Sequence, residues 1–328
     1  MESKLPPRVT VVITSRNRLA EVTQAVPSCL AQAEPCEILV YDDASTEHTV
    51  EDLKSRFPSI RVIRSEERVG LICVRNRGFR EALGDIVVSI DDDAFFSTPD
   101  TLSQVLARIS RYPQAAAFAL AYVEPYADRE KLPPLPEGTK VRGYVGCAHA
   151  IYRAAALTLG GYPELLVHQG EERDLAIRLI DEGQDIVYLD TPPIVHLYSP
   201  KRDLPRISFY GYRNTLLFAW MRLPFPECVI RAVVGSAQLM FYRFTWSSAW
   251  ACIPSLAAGW WGLIHFRQHR KPVSRAAFRK YRCLPSHDLL ILSEAENLRY
   301  QRLSESKLIE TRKSTATAPQ AVEEQNPR

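Results

Sequence analysis

The stretch from Gly84 to Asp100, GDIVVSIDDDAFFSTPD, constrains the fold more than any other part of the chain. Ile86, Val87, Val88 and Ile90 form a short β-branched run, the pattern of a strand buried on both faces of a parallel sheet. Asp91, Asp92 and Asp93 then stand at its carboxyl end. In open α/β sheets ligands bind at that edge, and adjacent carboxylates repel one another unless a cation or a proton intervenes. A metal ion is the expected partner of the cluster.

The flanking residues repeat one alternation. Arg8 to Thr14 reads as a strand, Leu19 to Ala31 as a helix and Glu37 to Tyr41 as a strand. A helix over Thr46 to Phe57, a strand over Ile60 to Ile63 and a helix over Leu71 to Leu83 follow. This spacing predicts an α/β fold: a Rossmann-like, mostly parallel central sheet with helices on both faces. Further on, Gln114 to Val123 reads as a strand, and the Pro-rich EPYADREKLPPLPEG as a loop long enough to move over a site. Val141 to Arg153 reads as extended. Leu175, Ala176, Leu179 and Ile180 mark a helix from Glu171 that Gly183 ends. Asp185 to Leu189 reads as a last short strand and TPPIVHLYSP as irregular.

A formal net charge of +3 is too small to imply a nucleic-acid partner, and none is expected. The cysteines are odd in number, scattered and without a C-x-x-C pair, as in a reducing compartment. MESKLPPRVTVVITSRN has no basic-apolar-small pattern, so a cytoplasmic location without a signal peptide is expected. After Lys201 the chain turns aromatic, aliphatic and basic, with about 14 Lys or Arg against two acids, Asp203 and Glu227, over residues 201–282. Phe244 to Phe266 carries no charge and is long enough to span a bilayer, but Pro254 and its serines weaken that reading. An amphipathic segment at a membrane surface and a helical subdomain docked on the rest are equally open. The residues after Lys307 have a disordered composition.

Several other residues carry chemistry. Asp42 and Asp43 in EILVYDDASTE end another buried strand; Asp43 either caps the next helix or accepts the imide N–H of a pyrimidine base. Arg75 and Asn76 sit near a helix start, where the Arg75 fork suits a diphosphate or, more ordinarily, solvent. Glu171, Glu172 and Asp174 occupy a first helical turn, favoured there by the helix dipole, yet the glycine-rich approach would hold them at a site edge. A carboxylate so held can take a proton from an attacking sugar hydroxyl. His196 in PPIVHLY is either a core histidine or a ligand of a divalent ion already held by aspartates.

With VVITSRNR, ILVYDDAST, VGLICVRNRG, VVSIDDDAFF, GGYPE, GEERDLAIRL and IVHLYS in order from about Val9 to Ser199, the chain resembles the family 2 glycosyltransferases of the GT-A fold. The resemblance implies a GT-A nucleotide-diphospho-sugar transferase domain over residues 1–200 and a C-terminal helical extension. That extension is the aromatic, basic segment 201–285, in possible peripheral contact with the cytoplasmic membrane face; a helical or disordered tail, 286–328, follows. It implies nucleotide-sugar contacts from Thr14, Arg16, Asp43, Arg75, Asn76, Asp91 and Asp92. It implies a metal site of Asp91, Asp93 and His196 for Mn²⁺ or Mg²⁺, and Glu172 as general base with Asp174 as runner-up. GCAHAIYR and GGYPE depart from the family pattern through His149, Tyr152, Tyr162 and Pro163, and Glu172 stands where many relatives have Asp.

The implied reaction is an inverting transfer from a UDP- or dTDP-sugar to a hydroxyl of a glycan or lipid-linked acceptor, in cell-surface polysaccharide synthesis. A sugar-nucleotide pyrophosphorylase would need a glycine-rich basic loop after the first strand, whereas TSRNRLAEV has no glycine. A receiver-type phosphoacceptor module would need acids there. A catalytically degenerate nucleotide-sugar binder is the remaining alternative, and intact Asp91, Asp93, Glu172 and His196 argue against it.

Overall fold

A computed structural model of the chain describes residues 8–126, 135–197, 203–241, 246–287, 298–302 and 305. Strands β1 (Val9–Ser15), β2 (Glu37–Asp42), β3 (Arg61–Arg64) and β4 (Ile86–Asp91) alternate with helices α1 (Leu19–Leu30), α2 (Thr49–Arg56) and α3 (Leu71–Glu81). There follow β5 (Ala94–Phe96), α4 (Thr101–Ile109), β6 (Ala115–Val123), β7 (His149–Tyr152), α5 (Arg153–Thr158), α6 (Glu171–Asp181) and β8 (Asp185–His196). The extension consists of α7 (Leu204–Arg222), α8 (Glu227–Phe241), α9 (Trp246–His265) and α10 (Arg275–Cys283). One sheet of order β3-β2-β1-β4-β7-β6-β8-β5 runs through the centre.

The β-branched runs put β1 and β4 at its middle, with every residue of β1 buried. Side chains alternate across a strand. Val12, Leu39 and Val87 accordingly join α3, α6 and α7 on one face, while Val11, Ile13, Val40 and Val88 meet α1 and α4 on the other. The parallel register sets Thr14 beside both Tyr41 and Asp91, and Ser15 beside Asp42. Both acidic pairs therefore emerge from one sheet edge.

The sheet is mostly parallel, with two antiparallel insertions: β7 between β4 and β6, and β5 against the end of β8. Two sequence expectations need correction. Residues 191–196 are not irregular but continue β8. The register between β6 and β8 jumps from Leu120↔Leu189 to Tyr122↔Ile194, a bulge that absorbs Pro192 and Pro193, which cannot donate to a ladder. Within Val141 to Arg153 only His149–Tyr152 forms a strand, and a helix starts at Arg153. Neither β5 nor α4 was signalled by the patterns above. Most of the Pro-rich loop, and the tail after Lys307, lie outside the described residues.

The extension docks on the sheet domain. Leu217, Phe218 and Met221 of α7 enter the same core as α6 and β6. Asp174 of α6, fully buried, receives Arg178 at 2.7 Å and Arg222 of α7 at 2.6 Å. Helix α10 lies on α6, where Ser274 N–H donates to Asp181 at 3.0 Å and Lys280 pairs with Asp185 at 2.9 Å. Gly262 lets α9 approach α7 so closely that a β-carbon there would come within 2.8 Å of Leu217. The outer surface of α8 and α9 nonetheless exposes Ile230, Val233, Trp261 and Ile264. No helix among the described residues is long and apolar enough to cross a membrane.

Candidate active site

A cleft of about 720 Å³ opens at the carboxyl edge of β1, β2 and β4. Thr14 and Arg16 follow from β1, Asp43 from β2, and Asp91, Asp92 and Asp93 from β4. The start of α3 brings Gly70 and Arg75, the start of α6 brings Glu171 and Glu172, and the end of β8 brings His196. Residues up to about 180 positions apart in sequence thus share one cavity.

At its metal-like corner, His196 Nε2 lies 3.1 Å from Asp93 and 3.8 Å from Asp91. Its Nδ1 is 2.7 Å from Glu124 at the end of β6. Cys147, just before β7, completes the group: one ligand atom each from Asp91, Cys147 and His196 lie within 4.8 Å of one another. Burial opposes a charge on the imidazole, but Cys147, Asp93 and Glu124 outweigh it and raise the His196 pKa well above its ordinary value. Carboxylate oxygens, an imidazole and a thiol around one point fit a divalent cation, and the Glu124 contact is the orientation that metal-bound histidines receive. Arg18 bridges Asp92 at 3.0 Å and the second oxygen of Asp93 at 3.2 Å. Burial pushes Asp92 up to about 7, with Arg18 opposing.

Beside this corner, buried Arg75 gathers three acids. It donates to Glu171 and Glu172, both at 2.8 Å, and to Asp91 at 2.9 Å. Burial works against the guanidinium, but Asp91, Glu172 and Glu171 raise its pKa further. Burial and the neighbouring Glu172 push Glu171 up to about 8. Gly146 runs against this pair: a β-carbon there would collide with both Arg75 and the Oε1 of Glu172. Arg75 therefore holds carboxylates in place instead of facing the cleft as a free fork. Arg16, Arg68 and Arg206 line the cleft, and none of their guanidinium groups has a carboxylate within 4.0 Å among the described residues; the backbone N–H of Arg206 donates to Asp203 at 3.0 Å. Asp43 accepts from the backbone N–H groups of Val69 and Gly70 at 2.8 and 3.0 Å, which seats the loop ahead of α3. Each of its oxygens keeps a lone pair for a base.

Two sequence candidates are not brought to the cleft. Asn76 is buried against the GGY turn, donating to Tyr162 O at 2.9 Å and accepting from Tyr162 N–H at 2.8 Å. Asp174 faces the other way on α6, into the pair with Arg178 and Arg222. Sequence reasoning missed Arg18, Glu124, Gly146, Cys147 and Arg206. Gly146 and Cys147 lie in GCAHA, Arg18 ends VVITSRNR and Glu124 opens the Pro-rich loop, but no local pattern assigned these residues or Arg206 to the cleft.

The glycosyl transferase family 2 pattern matches residues 10–153. Over 206 residues the chain is 28% identical to the succinoglycan biosynthesis protein ExoU of Rhizobium meliloti, covering 56% of this chain and 60% of that one. The matched stretch spans 38% of a Bacillus subtilis relative and 35% of one from Haemophilus influenzae, so the chain covers less than two thirds of the length of these curated relatives. Among solved structures, GalNAc-T7 with UDP, GalNAc and Mn²⁺ superposes with a TM-score of 0.59 at 16% identity, over 82% of this chain and 59% of that one. The mannosyltransferase PcManGT of Pyrobaculum calidifontis with GDP-Man and Mn²⁺ does so with 0.52 at 20%, over 96% and 88%. With the strand order, the acidic edge and these likenesses together, residues 10–153 match the family 2 glycosyltransferases and the chain carries the GT-A fold.

Proposed function

We propose that the chain transfers a sugar from a UDP- or dTDP-linked donor to an acceptor hydroxyl with inversion at the anomeric carbon. The observation that carries this reading is the single cleft in which Asp91, Asp93 and His196 lie beside Arg75 and Glu172. Asp91, Asp93, His196 and Cys147 are the residues that would hold Mn²⁺ or Mg²⁺, which when bound supplies charge stabilisation for a diphosphate. The neighbours with UDP and Mn²⁺ and with GDP-Man and Mn²⁺ support a nucleotide-sugar donor.

The chain's own groups supply the remainder. Thr14 and Asp43 stand where a base would lie, and Arg16, Arg68 and Arg206 face the place of a diphosphate. Glu172 takes the proton of the acceptor hydroxyl as its oxygen bonds to the anomeric carbon. The bond from that carbon to the phosphate oxygen breaks, and its electron pair leaves with the nucleoside diphosphate. Arg75 fixes the rotamer of Glu172 and links it to Asp91, so base and donor site keep one spacing.

The acceptor is a glycan or lipid-linked hydroxyl in surface polysaccharide synthesis, a reading supported by the name of the ExoU relative. The apolar outer surface of α8 and α9, flanked by Arg231 and Arg267, supports peripheral contact with the cytoplasmic membrane face. A thermal-shift panel of nucleotide sugars with and without Mn²⁺ tests the donor reading, because a ligand that binds only the folded chain raises its midpoint. Metal-dependent shifts for a uridine or thymidine sugar are expected. A panel without any such shift overturns it.

A further inference from the structure

A second cavity, of about 620 Å³, lies between the sheet domain and the extension. Glu172 and Tyr144 line both this cavity and the donor cleft, so the candidate base stands in the wall that separates them. The charge of the second cavity is one-sided. Arg142, Arg173, Arg231 and Arg282 line it, from four separate segments of the chain, and its only acid among the described residues is Glu172. Glu172 is already paired with Arg75.

None of the four arginines has a carboxylate within 4.0 Å among the described residues. Arg173 shows this most clearly. Its guanidinium stacks over Phe218 at 4.3 Å, and its buried Nε has no hydrogen-bond partner. Burial lowers its pKa from the ordinary arginine value. A desolvated cation without a counter-charge is costly, and guanidinium forks match phosphate oxygens in pairs.

We propose that this cavity receives the acceptor, and that the acceptor carries a phosphate-class anion held by Arg142, Arg173, Arg231 and Arg282 while its hydroxyl reaches Glu172. This rests on the glycosyl-transfer reading and specifies the substrate class. Arg231 and Arg282 are exposed, on α8 and α10, and form the entrance. Arg173 with Phe218 and Tyr281 forms an inner wall suited to an anion beside an apolar or sugar group. The same chemistry belongs to a lipid diphosphate and to a phosphate-bearing soluble glycan.

The test uses the full chain saturated with Mn²⁺ and the nucleoside diphosphate chosen by the thermal-shift panel, so that the donor cleft is filled. Geranyl diphosphate, inorganic pyrophosphate and geraniol are then titrated by calorimetry. Geranyl diphosphate should bind at least about 10-fold more tightly than geraniol, and the R231A/R282A variant should lose about 10-fold of that affinity, as expected for lost charged hydrogen bonds. The R231K/R282K variant should lose less, because it keeps the charge. Pyrophosphate binding as tightly as geranyl diphosphate supports a soluble acceptor, and weaker pyrophosphate binding supports a lipid-linked one. Equal binding of geraniol, or an affinity indifferent to R231A/R282A, overturns the inference. Failure of the nucleotide and Mn²⁺ to bind in the first step would instead sink the donor reading.

Discussion

Arg75 donates to the Oε1 of Glu172 over 2.8 Å, although 97 positions separate the two residues. The same guanidinium reaches Asp91 at 2.9 Å. One buried cation thus ties the start of α6 to the acidic end of β4, and the distance between candidate base and candidate metal corner is set by that side chain. The backbone must come close to allow it, and Gly146 supplies the room.

If Glu172 is the base, E172Q should keep the shape of the Arg75 contact and remove the proton acceptor. The turnover number should fall by about 10²- to 10⁴-fold with donor affinity within about 2-fold. Steady-state kinetics beside donor titration measure both. Undiminished turnover would move the proton transfer to another group.

Glu124 contacts His196 at Nδ1, while Nε2 of the same ring faces Asp91 and Asp93. E124Q should weaken Mn²⁺ binding by about 10- to 100-fold, as loss of an orienting carboxylate does. Calorimetric titration of Mn²⁺ into the variant decides it. An unchanged affinity would remove His196 from the metal site.

Asp174 has a structural place, locking α6 to α7. D174N leaves Arg178 and Arg222 without their buried counter-charge and should cost about 3–5 kcal/mol of stability. Urea unfolding gives the figure, and the folded fraction should still bind donor. Normal stability with lost turnover would restore Asp174 as a catalytic candidate.

Glu171 makes stability depend on pH. Its pKa rises from the ordinary 4.5 to about 8 in the folded chain, so over that window the folded state keeps a proton that the unfolded state has released. The stabilisation is complete below about pH 4.5 and is lost as pH rises through about 8. E171Q removes this titration, so its unfolding midpoint should decline less between about pH 5 and pH 8 than that of the parent chain. Parallel declines would show that Glu171 does not hold the proton.

Trp261 and Ile264 are 60% and 69% exposed on α9. The W261E/I264E variant should reduce co-sedimentation with anionic phosphatidylglycerol vesicles by about 10-fold or more while leaving the melting temperature unchanged, since each change removes apolar area from the bilayer boundary. Absence of vesicle binding by the parent chain would end the membrane reading.

Local pattern alone determined much of this protein. The β-branched runs specify buried parallel strands, and the acids that follow them mark the edge where Asp43, Asp91, Asp93 and Glu172 meet. A strand's burial and the direction of its end are encoded within a few residues, which is why that edge was legible. Tertiary structure decided which neighbours those acids receive. Pairing of β7 with β4, from Ser89↔His149 to Ile86↔Tyr152, carries Cys147 to the side of Asp91, and the bulge in β8 turns His196 toward Glu124. Asn76 and Asp174 follow the same periodicity as their functional neighbours on α3 and α6, yet point into the packing behind the cleft. A helix periodicity shows that a residue is on a buried face, but whether that face meets a cavity or another helix depends on contacts about 50 to 100 residues away.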